Sequence, residues 1–327
     1  MVNSPLHSTT LHTASIVKHK LNAAIILTVF TLIIALWLDW RFALRFVSYG
    51  VLAVFVVYLS TYVLDRKFQL NLHFDQYDPA QDTLFTALLV VLLTPLTLPY
   101  GVFVSALVLA VSLHIIFRRL WHTKFPDPAL FSVFVMQTLW QQSFRIPETM
   151  EGFFAAFDIS VWRVLSGFYD GFLLSATSLL MMGFMATYFV IARVLDRKIL
   201  ALIAIHASLY TVLLMVLLSR SFTNIMETFG YGLPMLALIF IVAQYDTTPT
   251  DHHLKQLYAL VLVTIYASLY LLWDPYPAIV VAILLAQSSG MVFETLLKRP
   301  LLWRKHTSTV IATMTYLAFV SVFFFLR

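Results

Sequence analysis

The hydrophobic pattern of the chain is a series of long apolar runs that is interrupted twice in the same manner. Near residue 100 an apolar run meets a Thr/Pro segment, a second apolar run follows, and an Asp-Pro segment closes it. The same order returns near residue 260. The interruptions are 94–99 and 125–130 in the first copy, and 246–250 and 274–279 in the second. In a membrane protein, matching Pro-interrupted segments in two halves are the best sequence indication of a central ligand or ion site.

Uncharged runs of about the length needed to cross a bilayer, roughly 17–25 residues, recur along the whole chain. They predict an all-α polytopic membrane protein with ten to eleven transmembrane helices. The runs are Ala23–Leu38, Phe46–Leu64, Thr83–Phe117 (two helices joined at Pro95–Tyr100), Ala129–Phe144, Gly171–Ala192, Ile199–Ser219, Phe229–Tyr245, Leu257–Trp273, Pro275–Phe293 and His306–Leu326.

Composition supports the membrane prediction and excludes several classes of enzyme. Apolar residues make up 61% of the chain and charged residues 11%, whereas a soluble domain carries about 25% charged residues. The absence of cysteine excludes disulfides, thiolate-bound iron–sulfur clusters and cysteine nucleophiles within this chain. G-x-G-x-x-G, Walker, G-x-S-x-G and H-E-x-x-H motifs are also missing. We therefore expect no self-contained catalytic site, and we predict no metal site.

The positive charges indicate an orientation rather than a nucleic-acid partner. Lys and Arg are concentrated in alternate loops, and the positive-inside rule then places the N-terminus in the cytoplasm and residues 141–170 outside. The loop 246–255 fits this register least, because it carries two Asp and two His beside one Lys.

Few ionisable side chains lie at membrane depth, and each is a functional hypothesis. His114 and Arg118 lie one helical turn apart near the cytoplasmic end of the fourth span, and His206 lies within the seventh. We expect Arg118 to reach the interface and His206 to bond a neighbouring helix. Asp246 ends a span at the repeated break, where a carboxylate can bind an amide, a cation or a ligand hydroxyl. Asp127 precedes a proline and is expected to cap the next helix.

At the breaks the sequence resembles the RnfD/NqrB family, the membrane subunits of bacterial ion-translocating complexes that pass electrons from ferredoxin or NADH. The matching segments run in order between Ser4 and Gln287. They are SPLH at 4–7, DTLFTALL at 82–89, TPLTLP at 94–99 (similar to TLPPxLPWW), LWHTKFPDPA at 120–129 (GLGxNxFNPA), QYDTTPT at 244–250 (ATDPVTSPT) and YPA…AILLAQ at 276–287 (YPEGVxFAILLxN).

The resemblance implies two inverted repeats with broken helices, in a complex with other membrane and redox subunits. It also implies that the protein lies in the bacterial inner (plasma) membrane. The lipid bilayer is then a partner, and we expect no nucleic-acid partner. The corresponding parts are a cytoplasmic N-terminal segment at 1–20, a first transmembrane repeat at 21–145, an external loop at 146–170 and a second repeat at 171–300. An extra C-terminal transmembrane helix at 301–327 departs from the family, which usually lacks it.

The resemblance further implies a flavin (FMN or riboflavin) bound in the membrane domain. Because the covalent attachment motif of the family is not matched, we predict a flavin or a quinone held without a covalent bond at the paired breaks. Family members carry covalent FMN on the Thr of a D-G-x-S-x-A-T motif. The nearest string here, 170–177, has three residues between Gly and Ser where the family has one. Covalent FMN on Thr177 is therefore the less favoured alternative. The predicted cofactor-binding residues are Thr94, Thr97, His122, Asp127, Asp246, Thr247, Thr248, Thr250 and Gln287.

Two other functions fit the same features. A solute or ion transporter, or a channel, would use the broken helices without any redox cofactor, and Asp246 would then bind the solute or coupling ion. A structural or assembly subunit would keep the fold and have no chemistry of its own.

Overall fold

The described part of the chain is helical. In a computed structural model it covers residues 5–38, 40–68, 79–94, 98–116, 127–140, 179–218, 241–242, 252–270 and 279–287. The helices in these ranges are α1 (Pro5–Leu38), α2 (Trp40–Phe68), α3 (Pro79–Leu93), α4 (Tyr100–Ile116), α5 (Pro128–Leu139), α6 (Leu179–Ile191), α7 (Arg197–Leu218), α8 (His252–Tyr270) and α9 (279–287). The same ranges contain no strand, so the all-α prediction is confirmed for them.

Three of the described helices are long and apolar enough to cross a membrane, through Ile16–Ile33, Ala43–Val63 and Arg197–Val216. Shorter apolar helices accompany them in α3, α4, α5 and α8. Large apolar side chains on α2 and α7 point outward; Val51 is 61% exposed and Val216 is 73% exposed. Large outward apolar surfaces of this kind mark a membrane or a partner surface rather than contact with water. These features agree with the predicted helical membrane protein.

The chain divides into two compact units, Met1–Val194 and Leu195–Arg327. Unit 1 contains α1 to α6, and unit 2 contains α7 to α9. The division falls in the short connection between α6 and α7, which lies within the predicted second repeat.

In unit 1, α3 is the central helix and packs against α1, α2, α4 and α5. Residues 85–94 are all buried. The sequence explains this position, because a helix that is apolar on every side is stable only when neighbours surround it. With 15 residues, α3 is about 22 Å long. The polar groups at its two ends therefore lie among the neighbouring helices.

The predicted break at 94–99, which we call the α3–α4 break, separates Leu93 from Tyr100. Prolines 95 and 99 account for the interruption locally, because each lacks an N–H and disfavours helix at the residue before it. The new helix begins with a bond from the amide of Phe103 to the carbonyl of Pro99. This part of the predicted helix–break–helix pattern is confirmed.

In unit 2, α7 and α8 pack side by side and run in the same direction. Asp196, just before α7, forms an ion pair with Lys255 in the first turn of α8. Further along both helices, the hydroxyls of Tyr210 and Thr264 lie 2.7 Å apart. Two contacts in the same order along both helices require parallel axes.

Candidate functional site

Unit 1 contains a group of ionisable side chains buried between apolar helices. Lys20 of α1, Asp82 of α3 and His114 of α4 are only 4%, 5% and 7% exposed. Thr86 of α3, which is also buried, and Asp127, which is half-buried just before α5, complete the group, which we call the charged cluster. Such residues are costly inside a membrane protein and are retained where they bind, move or pair charges.

His114 forms the centre of the charged cluster through both of its ring nitrogens. Nε2 lies 3.3 Å from Oδ2 of Asp82, and Nδ1 lies 3.0 Å from Oγ1 of Thr86. Thr86 in turn donates to the backbone carbonyl of Asp82 at 3.1 Å. Asp82 and Thr86 are four residues apart and therefore share one face of α3. The helix thus presents a carboxylate and a hydroxyl to opposite nitrogens of the same imidazole.

Asp127 belongs to the cluster and also caps α5. It has extended backbone angles, φ −61° and ψ 120°, and its carboxylate accepts from the amide of Leu130 at 2.9 Å. Pro128 follows at the first helical position, where its missing N–H is harmless. The predicted cap is confirmed. Burial raises the pKa of the Asp127 carboxyl, while the Leu130 amide and the nearby charges of Lys20 and His114 act in the opposite direction.

Lys20 brings a positive charge into this group from α1. Its Nζ lies 5.9 Å from the centre of the Phe85 ring, within cation–π range. Phe85 is itself buried, so the ammonium lies against the central helix rather than at the protein surface. Its charge also acts on the Asp127 carboxyl.

The topology of unit 1 explains why these residues meet. Lys20 lies where the apolar part of α1 begins, Asp82 lies near the start of α3, and Asp127 precedes α5. His114 lies in the last turn of α4, which runs back toward them. His19 supports the same end of α1, since its Nδ1 lies 2.9 Å from the hydroxyl of Tyr188 near the end of α6.

A second polar arrangement lies at the α3–α4 break, at the other end of α3. The carbonyl of Leu98 accepts a bond from Nη2 of Arg45 at 3.1 Å and another from the hydroxyl of Tyr49. The Tyr49 ring stacks on Phe103 with centroids 4.0 Å apart, and the Arg45 guanidinium lies over the Tyr100 ring. A break inside the membrane must have its backbone groups satisfied by protein. Here α2 supplies both donors.

Three of the predicted cofactor residues lie in the described part of the chain. Thr94 is buried at the end of α3, and its hydroxyl donates to the carbonyl of Val90 at 2.9 Å. It lies twelve residues beyond Asp82, roughly 18 Å along the helix. Because Asp127 belongs to the charged cluster at the Asp82 end of α3, Thr94 and Asp127 lie at opposite ends of this helix. Gln287, in unit 2, is 5% exposed at the end of α9.

The remaining predicted residues lie outside the described part of the chain, so their role stays a prediction. They are Thr97, His122, Thr177, Asp246, Thr247, Thr248 and Thr250. Arg118 also lies outside it, whereas His206 is partly buried on α7.

Three members of the charged cluster were not singled out as site residues by the sequence pattern. Lys20 belongs there only to the cytoplasmic N-terminal segment at 1–20, and Asp82 and Thr86 belong only to the motif DTLFTALL at 82–89. The spacing of Asp82 and Thr86 by one helical turn is a signal that could have paired them. No local signal distinguishes a buried lysine such as Lys20 from an interfacial one.

The chemistry available to the charged cluster is the binding and exchange of charge. Within the described ranges, no group of three or more His, Cys, Asp or Glu could hold a metal ion. The cluster instead offers an imidazole between two oxygens, two carboxylates and an ammonium group. Compared with known proteins, the chain matches no family model, and no curated protein is significantly similar to it.

Proposed function

We propose that this protein is an integral membrane subunit that moves an ion across the bilayer, within an electron-transfer complex of the RnfD/NqrB kind. The observation that carries the proposal is the charged cluster, in which Lys20, Asp82 and His114 are almost fully buried among apolar helices. Ionisable groups buried in this way are typical of ion pathways and proton relays. No substrate-binding motif of a soluble enzyme accompanies them.

The proposal includes ten to eleven spans in two inverted repeats, and the observed contacts support the register of those spans. His19 contacts Tyr188, Asp82 contacts His114, and Asp196 pairs with Lys255. Each pair joins residues assigned to the cytoplasmic side by the positive-inside rule. The loop 246–255 agreed least with that rule. Its lysine, Lys255, forms the ion pair with Asp196, so this loop also contributes a positive charge on the cytoplasmic side. Because α7 and α8 run in the same direction, the chain has to return across the bilayer between them. The span predicted at Phe229–Tyr245 would provide that return.

The redox part of the proposal rests on the resemblance. A flavin or quinone would be held non-covalently at the breaks, and other subunits would supply the remaining redox centres. The α3–α4 break could form one side of the site for such a group. Arg45 and Tyr49 of α2 support this, because both donate hydrogen bonds to the Leu98 carbonyl and so fix the position of the break. The cofactor would supply the electron chemistry, and the protein would set its position and electrostatics.

A transporter without a cofactor is the second candidate, and the charged cluster favours it equally well. An ion can be bound and released by Asp82, His114 and their neighbours without any redox group. Both candidate functions therefore include ion movement, and only the electron-transfer subunit also binds a redox cofactor.

An absorbance spectrum of the protein, purified from membranes in mild detergent with its partners, separates the two candidates. A flavin spectrum at about one flavin per chain supports the electron-transfer subunit, and a colourless preparation supports the transporter.

Vesicles made from the same preparation then test ion movement with pH-sensitive and Na⁺-sensitive dyes. We expect flux in the wild type and a loss of about tenfold or more in Asp82→Asn, because the imidazole loses the carboxylate opposite it. Equal flux in both proteins, or none in either, would refute ion movement through the cluster and favour a structural subunit.

A further inference from the structure

Arg45 of α2 places a positive charge beside the α3–α4 break. The side chain is half-buried, and a guanidinium stays charged throughout the pH range of proteins. Its Nη2 donates to the carbonyl of Leu98, whereas its Nε is buried without a hydrogen-bond partner. Among the described residues no carboxylate forms an ion pair with Arg45, and residues 95–97, which complete the break, include no acid. The described surroundings therefore supply one carbonyl for this cation and no negative charge.

The position of the guanidinium is fixed by its neighbours. Besides the bond to Leu98, its central carbon lies 5.4 Å from the centre of the Tyr100 ring. The Tyr100 hydroxyl lies 2.9 Å from Oγ of Ser48, and Ser48 in turn bonds the backbone carbonyl of Arg45 at 2.7 Å. An anion that binds here does not have to immobilise a long, freely rotating side chain, which lowers the entropic cost of binding.

The surroundings of Arg45 have the character of a membrane boundary. The candidate span Ala43–Val63 begins at the same turn of α2. Trp40, at the start of α2, and Tyr100, at the start of α4, are 61% and 46% exposed. Exposed Trp and Tyr residues of this kind are enriched at the depth of the lipid headgroups.

A column of exposed apolar and aromatic side chains extends from this boundary along α2. We call it the outward column, and it consists of Leu44, Val47, Val51, Val54, Phe55 and Tyr58. It covers fourteen residues, roughly 21 Å of helix. Half of the hydrocarbon core of a bilayer is about 15 Å thick, so one acyl chain can lie along the column for its whole length.

A phospholipid matches both features at once. Its phosphodiester carries a negative charge on oxygens that pair with the planar N–H donors of a guanidinium. Its acyl chain lies at the depth of the outward column when the phosphate lies at the depth of Arg45. A soluble anion matches only the guanidinium. A headgroup with a net negative charge is preferred, because a quaternary ammonium on the headgroup would bring a like charge close to Arg45.

We infer that Arg45, Tyr100 and the outward column form a binding site for an anionic phospholipid, with the phosphate on the guanidinium and an acyl chain along α2. The inference rests on the proposed membrane location and goes beyond the proposed ion movement. It concerns the end of α3 that is opposite to the charged cluster.

Native mass spectrometry of the full-length protein, purified with its partners in mild detergent and then delipidated, tests the inference. The probes are phosphatidylglycerol and phosphatidylcholine with the same acyl chains. We expect the wild type to bind one phosphatidylglycerol per chain at least about fivefold more tightly than phosphatidylcholine, since one arginine near an anionic headgroup contributes that much. Arg45→Met should weaken this binding by about tenfold. Inorganic phosphate should not displace the lipid.

Tyr49→Phe is the matched control, because it removes the other hydrogen bond to the Leu98 carbonyl and keeps the guanidinium. It should bind phosphatidylglycerol as the wild type does, although the break has lost a comparable contact. Lys198→Met is a second control, since it removes an exposed positive charge at the start of α7. Arg45→Lys keeps the charge and loses the planar donors, so we expect a loss smaller than that of Arg45→Met.

Equal binding of phosphatidylglycerol by the wild type and Arg45→Met would overturn the inference. An equal loss in Tyr49→Phe would overturn it as well, because the lipid would then depend only on the fold of the break. Displacement by inorganic phosphate would indicate a site for a soluble anion. Binding to the isolated chain but not to the complex would indicate that a partner subunit covers this face. If Arg45→Met does not fold, the wild-type preference for phosphatidylglycerol and the Arg45→Lys variant decide the question.

The proposed function is tested separately. Lipid binding without ion flux in vesicles would retain the lipid site and refute ion movement. Flux without a preference for phosphatidylglycerol would retain ion movement and refute the lipid site. Recovery of the protein in the soluble fraction of cells would refute the membrane location on which both depend.

Discussion

The α3–α4 break allows a quantitative test, because one buried carbonyl has two donors. Tyr49→Phe removes the bond to the Leu98 carbonyl but keeps the ring that stacks on Phe103. The carbonyl still accepts from Arg45. Only one net hydrogen bond is lost, and we expect the free energy of unfolding to fall by about 0.5–1.5 kcal/mol.

Arg45→Met removes the other donor and the cation–π contact with Tyr100, whose ring centre lies 5.4 Å from the guanidinium. The hydrogen bond and this partly exposed contact together amount to about 1–2 kcal/mol. Leu98 is 0% exposed, so water cannot replace a missing donor. The double variant therefore leaves a buried carbonyl without a donor, at an additional cost of about 1–3 kcal/mol.

The expected result is that the double variant loses more stability than the sum of the two single variants. Equilibrium unfolding with sodium dodecyl sulfate in mixed micelles, followed by circular dichroism, measures all three. Tyr49→Phe combined with Thr31→Val is the control, because Thr31 lies in another helix and bonds only its own backbone. That pair should be additive. Additivity within about 0.5 kcal/mol for Arg45 and Tyr49 as well would refute the shared-carbonyl reasoning.

Two further predictions concern the capping and pairing of helices. Asp127→Ala should destabilise unit 1 by about 1 kcal/mol, because the Leu130 amide loses its acceptor; Asp127→Asn should retain most of the cap, and equal thermal shifts for the two variants would contradict the capping role. Asp196→Ala should lower the unfolding temperature more than Lys255→Met does, because it removes both the partner of Lys255 and the acceptor for two amides at the start of α7. The reverse order would contradict it.

The sequence was most informative where a few neighbouring residues decide the structure. Long apolar runs predict helices because only internally bonded segments are stable in lipid. Prolines at 95 and 99 predict the α3–α4 break, and Asp127 before Pro128 predicts the cap that is observed. These outcomes depend on backbone chemistry within one or two helical turns, so no tertiary information was needed.

The sequence was less informative about the position of each break within the unit. The apolar run of α3 has the same composition whether it lies at the edge of a bundle or at its centre. Only the packing of α1, α2, α4 and α5 around it decides that Thr94 and Asp127 lie at opposite ends. Likewise, nothing near Leu98 indicates that α2 supplies donors to its carbonyl.

The chain alone thus determined helices apolar enough to cross a membrane, the α3–α4 break and the cap of α5, because each follows from local hydrogen bonding and hydrophobicity. Only the tertiary structure decided that Lys20, Asp82, His114 and Asp127 come together. These residues belong to different helices or helix starts, and no periodicity along the chain connects them. Their proximity depends on which helix packs against which, and that is decided only by the tertiary structure.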